Sequence, residues 1–243
     1  MALLTVPLAR VDKASPRLRL LSIDISGQRF AYLAGQAVMV GPHGAAVRRP
    51  FSIASSPERT GETGTLELLI AMEGGSEDLQ WATAGALLDI DGPVGTFTFP
   101  TTIAQSRLLF VAGGTGIAPV RAMLDHAVRV HPSEKISLLY STRRSDEFAF
   151  VDELRAHERA GRVELHQTVT RDEGTAWDGK RGRIGRGHFE AVLHEPASTL
   201  CFICGPSSLV SESAATLRDL GVPDALIRTE GWGRTTGSPA ARP

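Results

Sequence analysis

The stretch LLFVAGGTGIAPVRAML, residues Leu108–Leu124, decides the fold of this chain. It opens with a short apolar run, which is typical of a strand buried on both of its faces. Three glycines follow within Ala112–Gly116, and beyond them apolar residues recur at the spacing of an α-helix. Pro119 stands where a first-turn proline is tolerated, because that position needs no N–H. We therefore predict a strand, a glycine turn and a helix.

A glycine turn of this kind lets a ligand approach the backbone, and the start of the helix offers free N–H groups to phosphate oxygens. The pattern is G-G-T-G-x-x-P, which differs from the G-x-G-x-x-G dinucleotide fingerprint. Taken by itself, the stretch fits two interpretations, a phosphate-binding turn or a tight connection without a ligand.

The composition is that of a globular protein without an obvious polyanionic partner. The 243 residues are enough for one large domain or two of ordinary size. The formal net charge of -1 gives no reason to expect nucleic acid or an anionic membrane. No apolar run approaches the roughly 20 residues of a membrane span, and the first residues lack the pattern of a signal peptide. We therefore expect a cytoplasmic protein.

The two cysteines, Cys201 and Cys204, fit a reducing compartment and are too few for a four-cysteine iron–sulfur cluster. They form a C-x-x-C whose central Phe and Ile are typical of a strand, so a redox pair is the less favoured alternative. The histidines show no metal-binding spacing, and we predict no metal site.

The N-terminal part of the chain has short strands separated by turns rich in Gly, Pro, Ser, Asp and Glu. This pattern predicts an antiparallel β-barrel over residues 1–102. The predicted strands are Arg17–Ile23, Gln36–Val40, Phe51–Ala54 and Thr65–Ala71, and Asp91–Phe99 is predicted to be a turn followed by a last strand. The predicted turns include Ser56–Gly64 and Glu73–Ser76.

From Arg107 onward strands alternate with helices, which predicts a doubly wound α/β parallel sheet over residues 103–232, with helices on both faces. Further strands are predicted at Ile136–Tyr140, Val163–Val169, Leu200–Cys204 and Leu226–Glu230, and helices at Val151–Glu158, Gly187–Leu193 and Ser207–Leu220. The polar stretch Pro100–Ser106 marks the boundary. Residues 233–243 are small and polar, and we expect them to form a disordered tail.

Several short stretches make the chain resemble the ferredoxin–NADP reductase superfamily of flavoprotein reductases over nearly its whole length. They are Arg49–Ser52 (RPFS), Glu73–Ser76 with Leu79, Gly92–Gly95 (GPVG), the glycine turn, Cys204–Pro206 (CGP) and, more weakly, Trp177–Arg183 and Glu230–Trp232. Each string is short, so their shared order along the chain carries the resemblance. It implies a flavin-binding barrel followed by an NAD(P)-binding α/β domain.

The resemblance implies that the barrel binds a flavin, which we expect to be FAD, with FMN as the alternative. Arg49 would pair with a flavin phosphate, and Phe51 would pack against the ring or the ribityl chain. Ser52 would hydrogen-bond near flavin N5. Many relatives carry Tyr in place of Phe51, so any contact from a phenol hydroxyl is missing here. The other residues implied to contact the flavin are Pro50, Gly75, Ser76 and Trp232.

The same resemblance implies that the glycine turn carries the pyrophosphate of a nicotinamide cofactor. Cys204 would lie beside the nicotinamide for positioning, and Glu230 would anchor its amide or relay a proton. Together with Ser52, these are the predicted catalytic residues. The other implied cofactor-binding residues are Gly113, Gly114, Thr115, Gly116, Pro119, Gly205 and Pro206.

Arginines bear on the choice of coenzyme. An NAD site commonly places Asp or Glu after the second strand, whereas Arg143 and Arg144 follow that strand here. Arg171, after the next strand, could reach the same place. Arginines suit the 2′-phosphate of NADPH, which we favour. NADH stays open, because NADH-using relatives can also carry an Arg at this position.

We predict a flavoprotein oxidoreductase that transfers hydride from NAD(P)H to bound FAD and passes electrons to a separate ferredoxin, an oxygenase component or another acceptor protein. One alternative is an NAD(P)H:flavin reductase, for which flavin is a substrate. Another is a flavin-binding sensor or electron-transfer subunit that does not itself turn over NAD(P)H.

Overall fold

The computed structural model describes residues 3–72, 82–171 and 177–232. Its N-terminal half is a six-stranded antiparallel sheet of order β4-β3-β6-β1-β2-β5. The strands are β1 Leu4–Ser15, β2 Leu18–Asp24, β3 Ala37–Pro42, β4 Arg49–Ser52, β5 Thr65–Ala71 and β6 Leu87–Val94. The predicted turn Glu73–Ser76 and the predicted tail 233–243 lie outside the described residues.

The two outermost strands of this sheet meet, which confirms the predicted barrel. Ile53, directly after β4, forms a bridge with Leu68 of β5, and the Ala54 N–H donates to the Glu67 carbonyl at 2.7 Å. Closure removes the exposed edge there and encloses a core of aliphatic side chains such as Leu8, Ile23 and Val38.

Three elements of this half differ from the sequence predictions. Strand β1 was not predicted, because Pro7 interrupts its apolar alternation. The predicted turn Ser56–Gly64 contains helix α1 (Pro57–Thr63), which Ser56 caps by accepting from the Arg59 N–H at 3.1 Å. Asp91–Phe99 was predicted as a turn followed by the last barrel strand, but its first residues belong to β6, which ends at Val94, and the aromatic residues beyond it pack elsewhere.

The C-terminal half is a six-stranded parallel sheet of order β10-β9-β8-β7-β11-β12. Its strands are β7 Arg107–Gly113, β8 Lys135–Thr142, β9 Glu164–Val169, β10 Lys180–Arg181, β11 Thr199–Pro206 and β12 Ile227–Trp232. The helices are α2 Ile117–Val130, α3 Val151–Arg159, α4 Arg186–Val192 and α5 Ser207–Asp219. The two-residue strand β10 was not predicted.

Helices cover both faces of the parallel sheet, as predicted. Helices α2 and α3 pack on one face, with Val120, Leu124 and Leu154 buried, while α4 and α5 pack on the other. The strand order reverses between β7 and β11, and in open α/β sheets ligands bind in the crevice at such a point. No helix within the described ranges combines the length and apolarity that crossing a bilayer requires.

The two halves share a hydrophobic core. Phe99, beyond the last barrel strand, stacks on Phe202 of β11 at 5.4 Å between ring centroids, and Phe202 stacks in turn on Phe110 of β7 at 5.2 Å. A Cβ on Gly35 of the barrel would overlap the Phe97 carbonyl and crowd Met123 of α2. The contact between the two halves at Gly35 is therefore tight. The domain boundary between residues 102 and 103 stays a prediction.

A buried arginine joins the halves through polar contacts. Arg121 of α2 is 3% exposed, and its guanidinium donates to the Ala54 carbonyl at 3.0 Å and to Glu67 at 2.7 Å. It also bonds Glu153 of α3 at 2.8 Å and lies 4.2 Å from the ring centroid of Phe150. Burial works to lower the pKa of Arg121, but the two carboxylates outweigh it and raise that pKa.

We expect Arg121→Ala to lower the free energy of unfolding by about 3–5 kcal/mol, because it removes the Arg121 donor from Glu67 and the Ala54 carbonyl and leaves Glu153, among the described residues, with Arg59 alone. Arg186→Ala is the matched control, since Arg186 pairs with Glu190 on the exposed face of α4. Its effect should stay within about 0.5 kcal/mol. Urea unfolding of both variants measures the difference, and equal losses would contradict the role assigned to Arg121.

Candidate functional site

A cavity of about 640 Å³ lies at the carboxyl ends of β7, β8 and β11. Both halves line it, because its lining includes Leu18 and Ala71 of the barrel as well as Gly113, Gly114 and Thr115 of the glycine turn. Its volume falls in the range of ligand pockets. The predicted cofactor-binding residues that line it are Gly113, Gly114, Thr115, Arg143, Arg171 and Pro206.

Glycine is required in the turn by close backbone packing and by backbone conformation. A Cβ on Gly113 would overlap the side chain of Leu209, and one on Gly205 would lie 3.2 Å from the Gly113 nitrogen. Gly114 has φ +55°, and a Cβ there would meet nothing within 4 Å. The turn is thus packed on one side and open on the other, which suits a phosphate group that approaches the backbone.

Gly116 and Pro119 lie behind the turn. Residues Gly114–Gly116 form a short 3-10 turn that leads directly into α2. Gly116 and Pro119 are buried at the start of the helix and do not line the cavity. They support the turn from behind.

Tyr140 supports the turn and was not among the predicted site residues. Its hydroxyl donates to the Gly114 carbonyl at 3.4 Å and accepts from the Ala149 N–H at 3.2 Å. Burial raises the pKa of Tyr140, so the hydroxyl keeps its proton. A lone tyrosine in the apolar strand ISLLY was the available signal, because a buried hydroxyl needs partners.

Two of the three predicted arginines meet at the cavity. The Arg171 N–H donates to the Arg143 carbonyl at 2.8 Å, which places both residues at the same edge of the sheet. Within the described part of the chain, neither side chain forms an ion pair. Arg144 does not line the cavity, and it pairs with Asp146 at 3.2 Å.

The RPFS stretch forms β4, the outer strand of the sheet before the point of closure. Arg49 and Pro50 are exposed, and the half-buried Phe51 packs against the barrel core. The half-buried Ser52 hydroxyl makes no hydrogen bond to any residue that the structure describes. The exposed Arg49 side chain is therefore accessible to a ligand on this strand. Gly75 and Ser76 lie outside the described residues.

Cys204 and Glu230 are neighbours in the sheet. They are paired in register on β11 and β12, and Cys204 Sγ lies 3.7 Å from Glu230 Oε2. Burial raises the pKa of the Cys204 thiol, and the Glu230 carboxylate raises it further. Burial also raises the pKa of Glu230. Of the described residues, none links Ser52 to this pair by a hydrogen bond.

The backbone of Trp232 lies beside Pro206 at the end of the sheet. Its side chain lies outside what the structure describes.

The C-x-x-C cysteines point away from each other. Cys201 belongs to the core under α4 and α5, whereas Cys204 belongs to the core on the other face of the sheet. Neighbouring side chains alternate along a strand, so residues three apart cannot face one another. The alternative of a redox pair therefore lacks the geometry that it needs.

One further cluster of potential metal ligands serves the interface between the halves. Asp125, Glu153 and His157 bring their ligand atoms within 4.8 Å of one another. Arg59 bonds Asp125 and Glu153 at 3.1 Å each, and burial lowers the pKa of His157. The arginines therefore neutralise the carboxylates where a cation would have to bind.

Three comparisons agree with this architecture. The model of the oxidoreductase FAD-binding domain matches residues 5–99, and that of the oxidoreductase NAD-binding domain matches residues 110–214. The chain is 34% identical over 235 residues to ferredoxin–NADP reductase B of Sorangium cellulosum (strain So ce56), covering 92% of this chain and 95% of that protein.

Solved structures show the same fold. The ferredoxin reductase in carbazole 1,9a-dioxygenase superposes with a TM-score of 0.83 at 22% identity, over 95% of this chain and 69% of that one. A ferredoxin NADP+ reductase from Neisseria gonorrhoeae, with bound FAD and NADP, gives a TM-score of 0.80 at 21% identity, over 95% and 99%.

We expect both cysteines to resist thiol reagents in the folded protein. Burial raises the pKa of Cys201 to about 12 and raises that of Cys204 as well, and the thiolate is the reactive form. Ellman's reagent at pH 8 should label neither thiol within minutes in the native protein, and both after denaturation in guanidinium. Rapid labelling of Cys204 in the native state would contradict its burial beside Glu230.

Proposed function

Because this chain belongs to the ferredoxin–NADP reductase family and is an FAD-dependent NAD(P)H reductase, we propose that it oxidises NADPH and delivers the electrons to a separate acceptor protein, a ferredoxin or an oxygenase component. The observation that carries this proposal is the cavity that both halves line. Its lining includes both the glycine turn and barrel residues Leu18 and Ala71. Because the described residues of both halves line one cavity, a nicotinamide cofactor bound on that turn would be next to the flavin-binding half.

The glycine turn binds and orients the cofactor. The backbone N–H groups of Gly114 and Thr115, which line the cavity, would bind the pyrophosphate, and Thr115 would lie on the nicotinamide side. Tyr140 holds the Gly114 carbonyl and so keeps the turn in this conformation. Arg143 and Arg171 bind the 2′-phosphate that distinguishes NADPH from NADH.

The barrel holds the flavin along β4. Arg49 would pair with a flavin phosphate and Phe51 would pack beside the ring system. Gly75 and Ser76, which lie outside the described residues, are assigned to the flavin phosphates on the resemblance alone. Bound FAD supplies an acceptor of two electrons that can release them one at a time. The resemblance assigns Trp232, whose backbone ends β12, to the flavin ring, where it would have to move aside for the nicotinamide.

Three side chains serve the hydride-transfer site. The Ser52 hydroxyl lacks a partner in the described structure and donates to or accepts from flavin N5. Cys204 bounds the nicotinamide pocket and stays a thiol, because burial raises its pKa. Burial also raises the pKa of Glu230, whose carboxyl would anchor the nicotinamide amide or relay a proton.

A second candidate function is that of an NAD(P)H:flavin reductase, with flavin as a substrate. The observation that favours it is Phe51, whose ring carries no hydroxyl to hydrogen-bond the flavin. Retention of the flavin during purification separates the two functions. A protein that stays yellow through gel filtration has bound flavin, and a colourless protein that consumes NADPH only when flavin is added uses it as a substrate.

We expect the purified protein to carry about one FAD, which anaerobic NADPH bleaches at about 450 nm. Arg49→Ala should weaken FAD binding roughly tenfold to a hundredfold, because it removes a charge-assisted phosphate contact. Arg10→Ala is the control, since Arg10 is exposed on β1 and pairs with Asp12. Unchanged FAD affinity in Arg49→Ala would refute the assignment of this strand, and a bound flavin that neither NADPH nor NADH reduces would refute the function.

Coenzyme choice gives a separate test of the arginines. Arg143→Ala should lower kcat/KM for NADPH roughly tenfold to a hundredfold and leave kcat/KM for NADH nearly unchanged. Arg155→Ala, on the exposed face of α3, removes the same charge outside the cavity and should alter neither value. A wild-type preference for NADH that Arg143→Ala leaves unaltered would show that these arginines do not read the 2′-phosphate.

A further inference from the structure

An ion pair crosses from the barrel to the parallel-sheet half at the cavity. Arg17 lies in the turn between β1 and β2, and Glu147 lies five residues after the end of β8. The Arg17 Nη1 is 3.4 Å from Glu147 Oε1, and both residues line the cavity. The barrel therefore contributes a positive charge to a site whose phosphate-binding turn belongs entirely to the other half.

The charged residues that line the cavity include two ion pairs and two further arginines. Arg17 pairs with Glu147, and Arg183 lies 3.9 Å from Glu212. In the described part of the chain, Arg143 and Arg171 have no such acidic partner. Each acidic group of the lining is thus matched with an arginine, and a polyanionic cofactor that enters must compete with both carboxylates.

The Arg17 guanidinium can leave Glu147 for another anion at little cost. Its 3.4 Å separation is longer than the roughly 2.7–2.9 Å of a strong charge-assisted hydrogen bond. The Arg17 side chain is 41% exposed, so solvent screens the attraction and supports the guanidinium when it moves. The Glu147 side chain is 13% exposed and lines the cavity.

We propose that Arg17 binds the phosphates of the cofactor, and that it pairs with Glu147 while no cofactor is bound. The inference rests on the proposed function, since it takes the cavity to be the nicotinamide cofactor site. Phosphate oxygens draw Arg17 away from Glu147, and the turn between β1 and β2 then contacts the cofactor directly. Arg17 thereby ties cofactor binding to contact between the two halves.

The competing explanation is that the pair between Arg17 and Glu147 is a structural ion pair, which joins the two halves and stays intact when the cofactor binds. The two explanations predict opposite signs for Glu147. If Glu147 competes with the cofactor for Arg17, neutral glutamine at this position favours binding, because it also removes a negative charge from the cavity. If the pair only fastens the halves, loss of either partner disturbs the site in the same direction.

The test measures the Kd of NADP+ by isothermal titration of FAD-saturated protein at low and at moderate NaCl concentration. We expect Arg17→Ala to weaken NADP+ roughly tenfold to a hundredfold and to reduce the salt dependence of binding. Glu147→Gln should tighten NADP+ binding roughly threefold to tenfold. Glu147→Gln in the Arg17→Ala background should recover part of the loss. Arg10→Ala, the matched exposed control, should bind as the wild type does.

Two results would overturn the inference while the proposed function stands: an Arg17→Ala Kd within twofold of wild type, or weaker NADP+ binding in Glu147→Gln. Two controls exclude a folding defect. Thermal unfolding of every variant shows whether it is folded, and Arg17→Lys, which keeps the positive charge, should bind NADP+ more tightly than Arg17→Ala does. If the wild type binds neither NADP+ nor NADH, the proposed function falls together with this inference. If the wild type binds NADH alone, the same comparison is made with NADH, whose pyrophosphate is the shared group.

Discussion

The buried guanidinium of Arg121 is the contact on which the arrangement of the two halves depends. A charge that is 3% exposed is tolerated only when its donors are satisfied, and here the partners come from three separate places. They are the carbonyl of Ala54, the carboxylate of Glu67 in the barrel and the carboxylate of Glu153 on α3. Rotation of one half against the other would pull the buried guanidinium away from Ala54 and Glu67, which are its acceptors in the barrel.

The same contact relates the two predicted cofactor sites. Arg121 lies on α2, four residues after the helix begins at the glycine turn, and Ala54 lies two residues after Ser52. The turn and the outer strand β4 are therefore held through one side chain. Around it, Ser56 and Arg59 donate to Asp125. Burial works to raise the pKa of Asp125, but the hydrogen bonds from Arg59, Ser56 and Arg129 lower it to about 2.

The sequence predicted the fold well wherever local pattern and tertiary packing agree. The strand at Thr65–Ala71 and the helix after the glycine turn follow their apolar periodicity, and both were predicted. It failed where tertiary contacts override the pattern. Strand β1 contains Pro7 and nevertheless pairs with both β2 and β6. The alternating residues up to Phe99 read as a strand, yet Phe97 and Phe99 bury their rings against Phe202 of the other half.

The sequence by itself determined the glycine turn and the helix that follows it, because both depend on local backbone geometry that only certain residues permit. It also showed the order of the family motifs directly. Tertiary structure alone decided which groups meet. It brought the Tyr140 hydroxyl behind Gly114, placed Cys201 and Cys204 on opposite faces, and set Arg17 against Glu147 across 130 residues of chain. Such pairings depend on sheet register and on the docking of the two halves, which no local pattern encodes.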